Sequence, residues 1–228
     1  MDETPNTTTP RVDPAPGTTP TATGSKGLVD RAKDILLKPK EEWAIIDGEP
    51  ATIAGLYTGY IMILAAIGPV AGLIGSQLFG YSALGFTYKP PLGTSLGIAV
   101  MTYVLSLASV YVLALIIDAL APTFNGTKNQ IQAFKVATYS MTAGWIAGIF
   151  GIIPSLAMLS LLAGLYGLYI LYLGLPRLMR VSEDKAVGYT VIVIVAYIVL
   201  FFVVAAVVGA LTNSLFGGLG TISGPGIR

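Results

Sequence analysis

The 228-residue chain contains no cysteine and no histidine. Without cysteine it has no disulfides, no thiolate metal ligands and no cysteine nucleophile. Without histidine it lacks the usual general base and the commonest metal ligand, which excludes Ser-His-Asp catalysis and histidine-based proton relays. A phosphate-binding loop of the form GxxxxGK[ST] is missing as well. We therefore predict that the chain is not an enzyme and has no catalytic residues, no metal site and no cofactor.

Charge is also scarce. Asp, Glu, Lys and Arg make up 11% of the chain, against about 25% in a typical soluble domain. These residues are missing from four long segments, which cover residues 50–88, 90–117, 136–176 and 186–227. Uncharged apolar runs of about 18 or more residues are candidates for transmembrane helices. The composition predicts an integral membrane protein in the lipid bilayer, and the net charge of +1 does not favour a nucleic-acid partner.

The apolar segments predict an all-α fold with five transmembrane helices. The stretch from 133 to 179 would be about 70 Å long as one helix, more than two bilayer cores, so it must fold back. Pro154 marks the turn, because proline removes a helix hydrogen bond and disfavours helix at the preceding residue. The predicted spans are 53–79, 96–120, 134–151, 155–178 and 189–211, with a loop at 80–94 between the first two.

Residues 26–50 form an amphipathic lead-in to the first span. Apolar residues recur at helical spacing on one face and charged residues occupy the other: Leu28, Val29, Ala32, Ile35 and Leu36 against Asp30, Arg31, Lys33, Asp34 and Lys38. The pattern predicts a short cytoplasmic helix lying in the membrane interface. Pro39 ends this helix and starts another turn, on which Trp43 faces the apolar side.

The other boundaries follow from composition. Residues 1–25 are rich in Thr and Pro and predict a disordered cytoplasmic tail, since they cannot bury enough apolar surface to offset their ordering entropy. The tail has no apolar segment of the kind found in a signal peptide. Residues 51–212 form the predicted transmembrane domain, and residues 213–228 form a glycine-rich C-terminal tail.

Basic residues predict the orientation of the chain. With the N-terminus in the cytoplasm, ten basic residues flank the spans on the cytoplasmic side, whereas only Lys89 and Arg228 lie outside. The ten are Lys26, Arg31, Lys33, Lys38, Lys40, Lys128, Lys135, Arg177, Arg180 and Lys185. This distribution predicts an external C-terminus and therefore an odd number of spans.

Three segments together resemble the Yip1-domain family of membrane proteins, in particular its bacterial branch. They are the lead-in RAKDILLKPKEEWAIIDGEP at 31–50, the loop region IIDALAPTFNGTKNQIQAFKVATYS at 116–140, and the Tyr-rich return GIIPSLAMLSLLAGLYGLYILYLGLPRLM at 151–179. The resemblance covers about residues 28–210. The chain departs from it with Ala-Pro-Thr at 121–123 and a single Gly126, where many relatives have a glycine pair.

The resemblance implies a five-span fold more than an activity. Eukaryotic relatives associate with one another and with prenylated small GTPases in vesicle trafficking and membrane shaping. For the bacterial branch it implies an accessory or organising protein of the inner (plasma) membrane, with no catalytic residues to carry over.

Asp118 is the one acidic residue predicted in or near a span. A carboxylate in hydrocarbon costs about 2.5–3.5 kcal/mol, so such residues are functional candidates. One interpretation is structural, with Asp118 paired to Lys128 or Lys135 or holding the loop that contains Asn125. The other is coupling to a proton or cation.

Tyr166, Tyr169 and Tyr172 recur every three residues on the fourth span. Buried phenols need hydrogen-bond partners in lipid, so we expect this face to pack inward, either against neighbouring helices or along a polar path. Small residues spaced by four predict close helix contacts, within the chain or between copies. They are Gly55 with Gly59, Gly68 with Gly72, and Gly144 with Gly148.

Two functional hypotheses follow. The first is a non-catalytic membrane scaffold, chaperone or accessory subunit that associates with other membrane proteins or with itself. The second is a small transporter or channel for a lipid or small solute that uses Asp118 and the tyrosine face. Five spans do not divide into two inverted halves, which weakens the second hypothesis.

Overall fold

The computed structural model describes residues 26–83 and 86–216. The predicted tail at 1–25 lies outside the described residues, as does most of the predicted tail at 213–228. The chain runs through α1 (Leu28–Leu37), α2 (Pro39–Gly48), α3 (Ile53–Leu78), β1 (Tyr81–Ala83), β2 (Phe86–Tyr88), α4 (Leu92–Leu120), α5 (Gln130–Ser140), α6 (Thr142–Ala147), α7 (Ala157–Leu178) and α8 (Glu183–Phe216).

The fold is helical, as predicted, except in the loop between the first two spans. Residues 80–94 were expected to be irregular, but β1 and β2 pair there as an antiparallel hairpin in which Tyr81 lies opposite Tyr88. Three residues a strand is too little for period-2 alternation to be recognised in a sequence.

Within the described residues, four helices are long and apolar enough to cross a membrane: Ile53–Leu78, Leu92–Phe124, Met158–Leu178 and Glu183–Ser214. The predicted third span, 134–151, is a broken helix. It consists of α5, α6 and a 3-10 turn at Gly148–Ile152, with an interruption at Met141. Every residue from Ala133 to Ser140 is buried, so this broken helix is the centre of the bundle.

The return after the third segment lies at the predicted place. Ile153 has an extended backbone between the 3-10 turns Gly148–Ile152 and Pro154–Leu156, and α7 then runs back. α8 continues to Phe216, beyond the predicted end of the last span at 211, because the residues that follow remain compatible with helix.

The helix α3 departs twice from regular α geometry. Residues Tyr57–Ile61 form a π-helical turn, and hydrogen bonding is interrupted at Ala66, close to Pro69, which has no N–H to donate. The two tyrosines of the π turn hold different neighbours: Tyr57 Oη donates to Leu107 O on α4 at 2.9 Å, and Tyr60 Oη lies 2.8 Å from Thr142 Oγ1 on α6.

Glycine lets α3 and the broken helix approach closely. A Cβ placed on Gly148 would lie 2.7 Å from Cα of Gly68, closer than real Cβ atoms come to a backbone. Of the six glycines predicted to mediate contacts, Gly68 and Gly148 therefore meet within the chain. A Cβ on Gly59, Gly72 or Gly144 would meet no atom within 4 Å, and one on Gly55 would meet only its own capping residue, Thr52.

Candidate functional site

A cluster of buried charges joins the lead-in helices to the bundle. Arg31 of α1 donates from Nη1 to Glu42 Oε1 of α2, and from Nη2 to Glu49 Oε2 just after α2. The side chains of Arg31 and Glu42 are only 3% and 2% exposed. Arg31 had been expected on the solvated face of α1, and that expectation is wrong because two carboxylates and the ring of Tyr139, 5.6 Å from the guanidinium carbon, compensate its burial.

The electrostatics of the cluster keep Arg31 charged. Burial lowers the pKa of Arg31, but the hydrogen bond to Glu49 and the charges of Glu49 and Glu42 outweigh burial and raise that pKa above its usual value. Removing one partner of a buried ion pair typically costs about 3–5 kcal/mol. The pairing of Arg31 therefore holds α1 against α2 and against the residue that follows it.

Lys26 extends the cluster toward the surface. Its Nζ lies 2.7 Å from Asp34 Oδ2 and 2.7 Å from Glu42 Oε2. These hydrogen bonds raise the pKa of Lys26, and the same contact with Lys26 lowers the pKa of Asp34. Glu42 thus accepts from two cations, one at each carboxylate oxygen.

Lys135 of α5 joins the central broken helix to the end of α2. Its ammonium donates to Ile46 O at 2.8 Å and to Glu49 O at 2.5 Å, and its side chain is 3% exposed. Ile46 O, in the last turn of α2, also accepts from the backbone N–H of Glu49 at 3.3 Å, and Glu49 O directly follows the helix. A lysine is a suitable donor to carbonyls at a helix C-terminus. Lys135 is consequently bonded to the lead-in, and not to Asp118.

Trp43 anchors α2 on α7. Its Nε1 donates to Ile170 O at 3.0 Å, and its ring packs on Gly174, where a Cβ would lie 2.6 Å from Cε2 of the indole. The side chain is buried, so it is part of the core. Tyr166 of α7 adds a bond of 2.6 Å from Oη to Leu36 O of α1.

The tyrosine face of α7 does not pack inward. Tyr169 and Tyr172 are 44% and 43% exposed, and only Tyr166 is partly covered. The inward face of α7 instead carries Gly167 and Gly174, which admit a backbone carbonyl of α5 and the ring of Trp43. Small residues allow the closer approach, so they decide which face of the helix is buried.

The predicted polar residues around Asp118 are not brought together. Asp118 Oδ1 is buried without a hydrogen-bond partner, and no ion pair among the described residues includes Asp118. Lys128 is exposed. Asn125 has a left-handed backbone, with φ of 58°, and ends the 3-10 turn Ala121–Phe124.

A cavity of about 410 Å³ opens beside the buried cluster. Its polar wall carries Lys26, Arg31, Glu49 and Lys135, and its other wall is the first two turns of α3. The lining there includes Thr52, which caps α3, and Gly55, Gly59 and Tyr60 on the helix itself, so the cavity reaches the π-helical turn. π turns inside α-helices occur frequently at functional sites.

Sequence reasoning did not identify this cluster as a site. One signal was available in the spacing of Glu42, Ile46 and Glu49, which share one face at helical periodicity, although α2 ends one residue before Glu49. A buried acid on that face needs a cation or another donor as its partner. Neither Arg31 nor Lys135 is marked as its partner by any local pattern.

The comparisons with known proteins agree with this architecture. The model of the Yip1 domain matches residues 33–221. The inner membrane protein YohC of Escherichia coli strain K12 is 25% identical over 156 residues, which cover 67% of this chain and 80% of that protein. The protein of the same name from Escherichia coli O6:H1 matches to the same extent. No solved structure matches the chain.

Proposed function

The chain belongs to the Yip1-domain family of membrane proteins, and from that premise we propose that it is a non-catalytic membrane scaffold, chaperone or accessory subunit. The observation that carries the proposal is that the buried charged groups are fully engaged in holding helices together. Arg31 is held by two carboxylates and Lys135 by two carbonyls, so these side chains fix helices and are not positioned for chemistry. A rigid lead-in presented beside a helical bundle suits association with other membrane proteins.

The proposal includes five membrane crossings, with the broken helix as the third. Contacts pair this helix with α3 along the length of both. Lys135 meets Glu49 before α3 begins, Thr142 meets Tyr60 in its middle, and Gly148 meets Gly68 further on. The two segments therefore run in the same direction side by side. This parallel pairing supports a membrane crossing by the broken helix alongside that of α3.

The proposal also places α1 and α2 in the cytoplasmic membrane interface. Val29 and Leu37 are largely exposed on α1, although both are apolar, and a lipid headgroup region would accommodate them. Because the chain has no cysteine, Leu37→Cys and Lys128→Cys each give a single labelling position, the second in an exposed connection outside the helices. A bimane probe is expected to emit at shorter wavelength in vesicles at Leu37→Cys than at Lys128→Cys. Equal emission would contradict the interfacial location.

The membrane and the orientation are part of the same proposal. The relative named an inner membrane protein supports the bacterial inner membrane. Contacts between Arg180 and Asp47 at 3.1 Å, and between Thr127 N and Met179 O at 2.8 Å, bring the basic connections to the lead-in end of the bundle. Basic residues favour the cytoplasmic side, which supports a cytoplasmic N-terminus and an external C-terminus.

Affinity purification from native membranes in mild detergent, followed by native mass spectrometry of the intact assembly, tests the accessory role. We expect stoichiometric foreign membrane subunits bound to the tagged chain. Variant Arg31→Met is expected to lose them, because the lead-in is released, whereas Lys33→Met on the exposed side of α1 retains them. A chain recovered only as a partnerless monomer would contradict the proposal.

One observation favours a second function, the transport of a lipid or small solute. Asp118 Oδ1 is a buried acceptor with no hydrogen-bond partner among the described residues, and a carboxyl group near a span is a candidate for coupling to a proton or cation. In proteoliposomes, Asp118→Asn is then expected to abolish flux, whereas Asp30→Asn on the exposed side of α1 leaves flux unchanged. Absence of any flux from the wild-type chain would exclude this function.

A further inference from the structure

The cavity beside the buried cluster has the size and the charge of a ligand site. Its volume of about 410 Å³ falls in the range of small-molecule sites, about 300–1,000 Å³. Three cations line it, Lys26, Arg31 and Lys135, against one carboxylate, that of Glu49. The other acidic partners, Asp34 and Glu42, pair with Lys26 and Arg31 from behind and do not line the cavity, so the ammonium groups of Lys26 and Lys135 face its interior.

Donors in the cavity remain available to an anion. An ammonium group has three N–H donors, and Lys135 uses two of its own on carbonyl oxygens, with no third partner among the described residues. The cavity also lies at the first turn of the 26-residue helix α3, where the helix dipole adds positive potential. Buried cations at such a helix end favour a phosphate group.

A groove leads from the cavity along α3. Gly55 and Gly59 line the cavity and are exposed, and a side chain on Gly59 would meet no atom within 4 Å. The exposed Ile63 continues this surface one turn further into the span. The groove is therefore apolar and parallel to the helix, as an acyl chain in a bilayer requires.

We propose that this cavity binds one phospholipid, with its phosphate against Lys26 and Lys135 and an acyl chain along the groove over Gly55 and Gly59. Only an amphiphile with an anionic head and an apolar tail complements both parts. Bound there, the lipid lies against α1, α3 and α5 together. The proposal goes beyond the accessory role and does not depend on it, since either function above is compatible with a resident lipid.

Delipidated protein in detergent, titrated with defined lipids and followed by native mass spectrometry, tests the proposal. The probes are phosphatidylglycerol, phosphatidylethanolamine, diacylglycerol with the same acyl chains, and inorganic phosphate. We expect retention of about one phospholipid per chain, as for a single specific site. Diacylglycerol lacks the phosphate and is expected not to be retained, and inorganic phosphate is expected not to displace the lipid.

Two variants and their controls locate the site. Gly59→Leu places a side chain in the groove at a position where a Cβ meets no protein atom within 4 Å, and it is expected to weaken phospholipid binding at least about tenfold. Gly209→Leu, on the exposed side of α8 with equally open space, is expected to bind as the wild type does. Lys26→Gln is expected to weaken binding as well, and the exposed Lys33→Gln is not.

Three results would overturn the proposal. Equal binding by Gly59→Leu and Gly209→Leu would show lipid distributed around the bundle without a site. Equal retention of diacylglycerol would remove the role of the phosphate. Full displacement by inorganic phosphate would assign the cavity to free phosphate in place of a lipid.

Discussion

At the scale of single residues, Gly174 determines how the lead-in docks on the bundle. Its missing side chain is the space that the indole of Trp43 fills, and Trp43 is held there by the hydrogen bond to Ile170 O. Trp43 in turn contacts Tyr139 edge-on, with ring centroids 6.2 Å apart, and Tyr139 lies beneath Arg31. One glycine therefore supports the apolar anchor and, through two aromatic rings, the buried charge cluster.

Gly174→Ala is expected to destabilise the protein by about 1–3 kcal/mol, because a methyl group would overlap the buried indole. Thermal unfolding in mild detergent, followed by near-ultraviolet circular dichroism of the tryptophans, measures the loss.

Gly164→Ala is the matched control on the same helix α7, since a Cβ there meets no atom within 4 Å. It is expected to change stability by less than about 0.5 kcal/mol. Equal losses in the two variants would mean that the contact with Trp43 does not set the cost, since helix propensity alone favours alanine over glycine.

At the scale of elements, the broken helix formed by α5, α6 and the 3-10 turn is held against α3 by backbone contact. The contact of Gly148 with Gly68 involves main-chain atoms, so neither partner can rotate out of the way. In a bilayer, such close packing and the hydrogen bond between Tyr60 and Thr142 replace the hydrophobic drive that joins helices in water.

Gly148→Ala is expected to separate these two segments and to lower stability by more than about 1 kcal/mol, because its Cβ would lie 2.7 Å from Cα of Gly68. Thermal unfolding in mild detergent again provides the measurement. Gly144→Ala, one turn earlier and with open space around it, is expected to retain wild-type stability. A stable Gly148→Ala variant would argue against the close backbone contact.

The sequence predicted the elements better than their contacts. The four long spans, the amphipathic helix and the return at Pro154 follow from charge-free runs, helical periodicity and proline chemistry, which are local properties. The break at Met141 and the burial of Arg31 depend on residues far along the chain. Arg31 is separated from Tyr139 by the whole of α3 and α4, and no local pattern encodes that meeting.

The prediction that the tyrosine face of α7 packs inward was wrong for a related reason. Periodicity indicates that Tyr166, Tyr169 and Tyr172 share a side of the helix, but it does not say which side is buried. That choice depended on Gly167 and Gly174, whose small size admits Ser140 O and the ring of Trp43. A polar stripe in a membrane helix is consequently weaker evidence for burial than a glycine stripe.

At the scale of the whole molecule, the described connections fall at two ends of the bundle. The lead-in, the turn Ala121–Phe124 and the segment around Met179 meet at one end, through the bonds of Thr127 N to Met179 O and of Arg180 to Asp47. The β-hairpin follows α3 at its far end, where Gln77 bonds Pro90 O. The return at Ser155 lies at this far end as well, because the residues just before it, Gly151 and Ile152, pack on Gly75 near the end of α3.

Accessibility of single cysteines tests that arrangement, since the chain itself contains none. Lys89→Cys and Ser155→Cys are expected to react with a membrane-impermeant maleimide in intact cells, because five crossings place both outside. Lys128→Cys and Ser182→Cys are expected to react only after permeabilisation. All four positions are exposed in the structure, so burial does not explain a difference between them. If Ser155→Cys behaves like Lys128→Cys, the broken helix does not cross, and the chain spans the membrane with its four long helices alone.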